Sequence, residues 1–387
     1  MDIYMKRAAT HASVLVLMAS ALALCSFAQS QPGPVHPQST PQQKPQPQQV
    51  PRIRVPVNVV TLPVAVSDTA GRAVLDLTQK QFQVFDEGKP QQITRFDQGG
   101  DPLSIVLVIE TSSRVAPLLP AVSKTGIIFT QMVMAGTGQA AVIGYNDQVD
   151  ILRPMTTDAD RVEDTIEHLK PGLDGARLYD AIERAEDLLE HQPSDRRRAI
   201  VVIGEKNDAG SETKLGQVLR RAQLGNMTIY SIGLSTTAAA FRQPAQPKPP
   251  VRVGAQGTYP VPPPPGTAQT PDVVDEQMGN GSGGAGSLAL LPLIKWLVEH
   301  GANLTGRNSL LIASQGTGGL HEGTFKDKSI QNAMNEIGND LHGVYLLAYN
   351  PSGNAPYGYH TIEVRVIQPH LRIRTRPGYY LAPPNQQ

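Results

Sequence analysis

The stretch Leu103–Arg114, LSIVLVIETSSR, carries an acid, three hydroxyls and a guanidinium at the end of an apolar run. An unbroken apolar run of this length reads as a strand buried on both faces. Open α/β sheets bind ligands at the carboxyl ends of such strands, so Glu110, Ser112 and Arg114 are candidates for binding chemistry. Other constellations fall short of catalysis. His321-Glu322 lacks the second histidine of a zinc-protease helix, and His321 reads as a surface residue near the last strand. Gly281-Ser282-Gly283 lies in a low-complexity stretch, without the strand–turn–helix setting of a nucleophile elbow. No phosphate-cradling G-x-x-x-x-G-K-[ST] run occurs. Asp174, Asp180 and Asp208 read as turn and cap residues. With no nucleophile, base and oxyanion donor brought together, the chain reads as non-enzymatic.

The elements that must position Glu110 alternate between strand and helix. Strands are expected at Ile105–Ile109, Ala140–Tyr145, Ile200–Ile203 and Thr228–Gly233. Gln148–Leu152 should form an antiparallel edge, returning through Asn146-Asp147. Apolar stripes at three- and four-residue spacing predict helices through Leu118, Val122, Phe129 and Val133; through Val162, Ile166 and Leu169; through Leu178, Ile182, Ala185 and Leu189; and through Leu215, Leu219 and Ala222. Alternation of this kind implies right-handed βαβ units and a mostly parallel, doubly wound sheet. Leu288–Val298, with Trp296, is apolar on too many sides for a surface helix and should pack against something larger. Ile330, Met334, Ile337 and Leu341 mark a final helix. The α/β region is placed at 101–343, interrupted at 236–286 by a Pro/Gly-rich insertion expected to loop out. Residues 51–98 and 344–382 alternate with period two and read as β segments that pair with each other or extend the central sheet.

The ends and the composition set the compartment. Lys6 and Arg7, the apolar run Ala12–Leu24 and Ser26-Phe27-Ala28 have the three parts of a secretory signal peptide, so 1–28 is expected to be removed. Leu24 is bulky where a lipidation motif has a small residue, which argues against lipidation of Cys25. Cys25 is the only cysteine, so the exported chain would hold no disulfide. Residues 29–50 are Pro/Gln-rich and read as a disordered spacer. The formal charge is zero, and removing Asp2, Lys6 and Arg7 leaves −1. That balance argues against nucleic-acid partners and against attraction to an anionic membrane. The mature chain is expected to be periplasmic or extracellular, without an integral membrane segment.

Five pieces in order carry a family resemblance: Phe82–Pro90 (FQVFDEGKP), Leu103–Ser113, Leu178-Tyr179-Asp180-Ala181, Thr317-Gly318-Gly319 and Gly378-Tyr379-Tyr380. Over 52–382 the chain resembles the von Willebrand factor A (VWFA)-related proteins of the acidobacterial type, which are exported and carry β segments on both sides of the A domain. By the same resemblance, Thr317-Gly318-Gly319 closes a helix at Leu310–Gln315. The resemblance also implies a site where three loops hold Mg²⁺ or Mn²⁺ and a partner's carboxylate completes the coordination. The first loop, Asp-x-Ser-x-Ser in the family, reads here as Glu110, Ser112 and Arg114. The second has Ala176, followed by Arg177, where a Thr would stand, and the third has Glu205 in place of Asp. A small hard cation needs near-octahedral oxygens at about 2.0–2.1 Å. Ala176 removes a ligand, Glu adds a methylene, and Arg114 places a permanent cation beside the ion. No metal or other cofactor is therefore expected. Either Glu110, Arg114 and Glu205 make solvated ion pairs at a dead site, or Arg114, with Arg177, replaces the metal's charge and accepts a partner's carboxylate. The function read from this is adhesion-type binding of another protein or an envelope component through loops at the carboxyl edge of the sheet. The alternative is a structural or assembly module of the envelope whose β flanks make the contacts.

Overall fold

A computed structural model describes residues 59–236, 285–303, 307–324, 330–351 and 355–383. The expected signal peptide, the Pro/Gln spacer, Tyr259, Gly281-Ser282-Gly283 and nearly all of the 236–286 insertion lie outside the described residues. Along the chain run β1 (Val60–Ser67), β2 (Phe82–Asp86), β3 (Lys89–Gln91) and β4 (Ile93–Gln98). The alternating region follows with β5 (Leu103–Glu110), α1 (Leu119–Ser123), α2 (Gly126–Ile128), β6 (Gln139–Tyr145), β7 (Val149–Thr156), α3 (Ala159–Glu167), α4 (Leu178–Glu190), β8 (Arg197–Gly204), α5 (Leu215–Leu224) and β9 (Met227–Gly233). It ends with α6 (Ala285–His300), α7 (Ser309–Thr317), β10 (His321–Gly323) and α8 (Ile330–His342). The chain closes with β11 (Tyr345–Tyr349), β12 (Gly358–Val366), β13 (Arg372–Arg374) and β14 (Gly378–Leu381). No helix among the described residues is long and apolar enough to cross a membrane.

The central sheet has the order β10-β9-β8-β5-β6-β7, parallel except for β7, which pairs antiparallel with β6 at the edge. All eight residues of β5 are buried. Side chains alternate across a strand, so Leu103, Ile105, Leu107 and Ile109 enter the core beneath α1, α3 and α8. Val106 and Val108 enter the opposite core, beneath α4, α5, α6 and α7. That two-sided burial is why the strand's sequence is continuously apolar. From β5 the chain moves first to β6 and later back to β8, so the switch in strand order falls at the carboxyl end of β5.

Two local expectations are corrected. The stripe through Leu118, Val122, Phe129 and Val133 is not one helix. It breaks into a 3₁₀ turn at Ala116–Leu118, the short α1 and α2, and a π-helical segment at Phe129–Met134 that ends with Ala135 at φ 47°. Pro117 and Pro120 lack the amide hydrogens a continuous helix needs. In α6, Ile294, Leu297 and Val298 are buried as expected, but Trp296 stays 46 % exposed and stacks on His300.

The two β ends pair with each other and leave the central sheet alone. They form two antiparallel four-stranded sheets, β13-β1-β11-β4 and β14-β12-β2-β3. Val60, Leu62, Val64, Phe82, Val84, Leu347, Ile362 and Val364 fill the space between them. One polar cluster is buried inside. Asp86 accepts hydrogen bonds from the hydroxyls of Tyr349 at 3.0 Å and Tyr379 at 2.9 Å, and faces His360 Nδ1 at 3.3 Å. Removing the carboxylate orphans buried donors on three strands, each costing on the order of 1–3 kcal/mol. Asp86→Ala is therefore expected to lower unfolding stability by about 3 kcal/mol or more, and Asp86→Asn by less, in urea denaturation. Equal stability of both variants with the wild type would refute this role.

A second buried carboxylate sits in the α/β core. Glu186 on α4 is fully buried and neither oxygen accepts a hydrogen bond. Burial pushes its carboxyl well above the ordinary 4.5, opposed by Arg221 and reinforced by Glu183, Glu190 and Asp187. The folded state therefore holds this proton more tightly than the unfolded chain. The stability tied to it is whole below about pH 4.5 and declines as pH rises through the raised value. Glu186→Gln removes the titration. Between about pH 5 and about pH 8, the thermal midpoint of the wild type is expected to fall further than that of Glu186→Gln, and parallel pH profiles would contradict the assignment.

Candidate functional site

At the end of β5 the backbone leaves the sheet through a web of short contacts. Thr111 N–H donates to the Tyr145 carbonyl at 2.8 Å, and Gly172 N–H donates to the Thr111 carbonyl at 2.6 Å. Asn146 Nδ2 reaches Thr111 Oγ1 at 3.2 Å. Ser113 N–H donates to the Leu173 carbonyl, and the Ser113 hydroxyl donates to Asp174. Arg177 N–H donates to the Asn146 carbonyl at 2.9 Å, and Ala176 exchanges backbone hydrogen bonds with Ala209. The loops after β5, β6, β7/α3 and β8 are thus bound into one surface at the carboxyl edge of the sheet.

Glu110 lies beneath that surface with no exposure. Its Oε1 accepts from the Ser112 hydroxyl at 2.6 Å, and its Oε2 accepts from the Glu205 backbone N–H at 2.6 Å. Burial pushes the carboxyl above its ordinary value; the Ser112 and Glu205 hydrogen bonds and Arg114 pull it down, while the Glu205 charge adds to the rise. Arg114 bridges the two acids, with NH2 at 3.5 Å from Glu110 Oε1 and NH1 at 3.5 Å from Glu205 Oε2. Its side chain remains 41 % exposed. The other oxygen of Glu205 accepts from Thr236 Oγ1 at 2.5 Å.

Of the six residues singled out in the sequence, Glu110, Ser112, Arg114 and Glu205 converge. Ala176 is buried in its bridge to Ala209 and supplies no side-chain oxygen. Arg177 does not join them. Its Nε donates to Asp180 at 2.7 Å and its NH2 reaches Glu212 at 3.1 Å. Asp180, three residues on in the first turn of α4, is the nearer partner. The image of fully solvated ion pairs is also corrected, because Glu110 is buried while Arg114 and, in smaller part, Glu205 meet water. These donors do not fit a divalent ion: a guanidinium lies between the two carboxylates, and their oxygens already accept from Ser112, Thr236 and a backbone amide.

Sequence reasoning missed Tyr145 and Thr236. Tyr145 is fully buried beside Glu110, and its hydroxyl packs where a Cβ on Gly204 would overlap it, which explains the glycine ahead of Glu205. Burial pushes the Tyr145 phenol well above its ordinary value, with Glu110 adding to the rise. Its place at the end of a buried strand was the available signal. Thr236 follows β9 and had none. His321 is not the surface residue expected. Its Nδ1 lies 2.7 Å from Ser231 Oγ and its Nε2 3.2 Å from Asn308 Nδ2. Burial pushes the imidazole down to about 4, so the ring is neutral at pH 7 and serves as a packing and hydrogen-bonding group.

Among the described residues, Arg114 is the cationic partner of Glu110, at the distance of an ion pair rather than a hydrogen bond. Arg114→Ala is expected to raise the Glu110 carboxyl further. A raised acid costs stability as pH rises through its folded value. The variant should therefore be weakened by about 1 kcal/mol at pH 8, the solvent exposure of the arginine keeping the figure small, and by less near about pH 4.5. A loss independent of pH would show that Arg114 acts through packing alone.

Residues 105–207 match the von Willebrand factor type A domain family. No curated protein matches the chain. Among solved structures it is similar to the vWF domain of the type V pili tip protein Mfa5 from Porphyromonas gingivalis, at 19% identity over 27% of this chain and 38% of that one, with a TM-score of 0.25. It is also similar to the conserved hypothetical protein BatB from Bacteroides thetaiotaomicron, at 13% identity over 62% of this chain and 98% of that one, TM-score 0.37. A third is an aerotolerance-related membrane protein from Bacteroides fragilis, at 13% identity over 61% and 98%, TM-score 0.37. The chain thus spans well under half of the pilus tip structure. The family match across β5 to β8 falls on the doubly wound sheet with its switch point at Glu110, so residues 105–207 of this chain match a von Willebrand factor type A domain.

Proposed function

We propose that this protein binds another protein or an envelope component through the loops at the carboxyl edge of its central sheet, without a metal and without catalysis. Arg114 carries the reading: its guanidinium is anchored by Glu110 and Glu205 and is still 41 % exposed. In that position it offers a fixed positive charge, where the family resemblance implies a divalent ion, and a partner's carboxylate would dock on it. Leu173, 67 % exposed on the neighbouring loop, supplies an apolar contact beside it. A charged fork next to an exposed apolar residue is the pairing that gives a small docking surface both orientation and burial. The reading includes export to the periplasm or beyond, carried by residues 1–28.

Two measurements test the site. Calorimetric titration of the full chain with Mg²⁺ or Mn²⁺ is expected to give no saturable heat from it. Glu110→Asp, Arg114→Ser, Ala176→Thr and Glu205→Asp combined should introduce one. Saturable binding by the natural chain that Ser112→Ala abolishes would return the metal-bridged mechanism. For the partner, the immobilised chain should capture envelope proteins, and Arg114→Glu should weaken capture by about tenfold or more. Capture undiminished by Arg114→Glu would make the top face inert and give the β flanks the contact role.

A further inference from the structure

The opposite end of the sheet holds a second concentration of arginine, unrelated to the site above. A cavity of about 220 Å³ lies where the amino ends of β8 and β9 meet the outer face of the sheet containing β1, β4 and β11. Arg95, Arg196, Arg197, Arg198 and Arg376 line it, against Asp101 and Asp195. Asp101 is held by Arg95 at 3.1 Å, and Asp195 is exposed. The other four arginines donate to uncharged groups. Arg196 reaches Ser104 Oγ at 3.0 Å and Arg197 the Leu341 carbonyl at 2.9 Å. Arg198 and Arg376 both clip onto the turn between α5 and β9, Arg198 at the Gly225 carbonyl and Arg376 at the Gln223 carbonyl and Asn226 Oδ1.

Two donors remain over. The Nε atoms of Arg198 and Arg376 are buried and have no hydrogen-bond partner. Arg376 is only 3 % exposed. Burial pushes it down to about 10, and the groups that oppose this push are the phenols of Tyr349, Tyr359 and Tyr379, none of them a carboxylate. Guanidinium keeps its proton at neutral pH, and a buried charge without a counter-ion is costly. Carbonyls at helix ends offset part of that cost, but they leave the Nε–H edges unused. An oxyanion in the cavity would supply the missing negative charge to the guanidinium groups that line it. The volume is below the roughly 300–1,000 Å³ of sites for drug-sized ligands, so a compact anion fits and a nucleotide does not.

We propose that this cavity binds a phosphoryl group, as inorganic phosphate or on a small phosphorylated molecule, with Arg198 and Arg376 as its principal ligands. Calorimetry and thermal shift on the full chain, at ionic strength held constant with chloride, test it. Inorganic phosphate is expected to bind saturably, with a dissociation constant below about 1 mM, and to raise the thermal midpoint with concentration. Glycerol 3-phosphate binding as tightly as phosphate would point to a phosphorylated molecule, and phosphate alone would point to the free ion. Arg198→Gln and Arg376→Gln should each weaken binding about tenfold or more, whereas Arg114→Gln, at the far end of the sheet, should not. Circular dichroism checks that Arg376→Gln folds; if it does not, the half-buried Arg198→Gln decides. No saturable phosphate binding, binding unchanged in Arg198→Gln, or succinate binding as tightly as phosphate would each overturn the proposal.

Discussion

Glu110 is a carboxylate with no exposure at the carboxyl end of the central strand, and its two oxygens hold the top of the domain together. One oxygen fixes Ser112 in its own loop; the other takes the backbone N–H of Glu205, the first residue beyond β8. The longer side chain spans from β5 to that amide, and the amide orients Glu205 toward Arg114. Burying a charge at this point is unfavourable, as the upward push on its carboxyl records. Two hydrogen bonds to charged oxygen and one ion pair offset it. Remove any of the three and the others are left facing a less solvated acid than water would tolerate.

The β flanks solve a different problem. β1, β2 and β4 cannot bury their apolar faces alone, and a pair of C-terminal strands is marginal by itself. β11 lies between β1 and β4, and β12 lies between β14 and β2, so the two ends of the described chain complete each other's sheets. The outer face of one sheet is then covered in turn. Pro63 and Leu346 point away from the sandwich core and are nevertheless buried, because they line the cavity against the α/β layer.

Legibility in the sequence followed the range of the interaction. β5 to β9 and most of the helices were readable because burial on one or two faces writes itself into every second or every third and fourth residue. The helix through Leu118 and Val133 misled, since its stripe kept helical spacing across Pro117, Pro120 and Gly126 while the backbone changed its winding. Arg177 misled for a local reason: Asp180 was visible three residues ahead, and a helix-turn partner outcompetes a distant one. Three-residue β10 was too short for any period to show that His321 faces inward toward Ser231 and Asn308. The convergence of Glu110, Arg114 and Glu205 was foreseeable only through the resemblance that aligned their loops.

The two ends of the sheet use arginine in opposite ways. At the carboxyl end, one arginine stands between two acids, half in water, and its charge is balanced before any partner arrives. A group in that state can exchange part of its contact for an incoming carboxylate without exposing an uncompensated charge, which suits reversible association. At the amino end, several arginines are held by carbonyls at the ends of α5, α8 and neighbouring turns, which fix their geometry but do not neutralise them. Positive charge held rigidly and left unbalanced favours a small resident anion over a protein surface. Under the two proposals above, the same residue type would mark a docking point where carboxylates pair with it and a ligand cradle where its partners are mostly carbonyls.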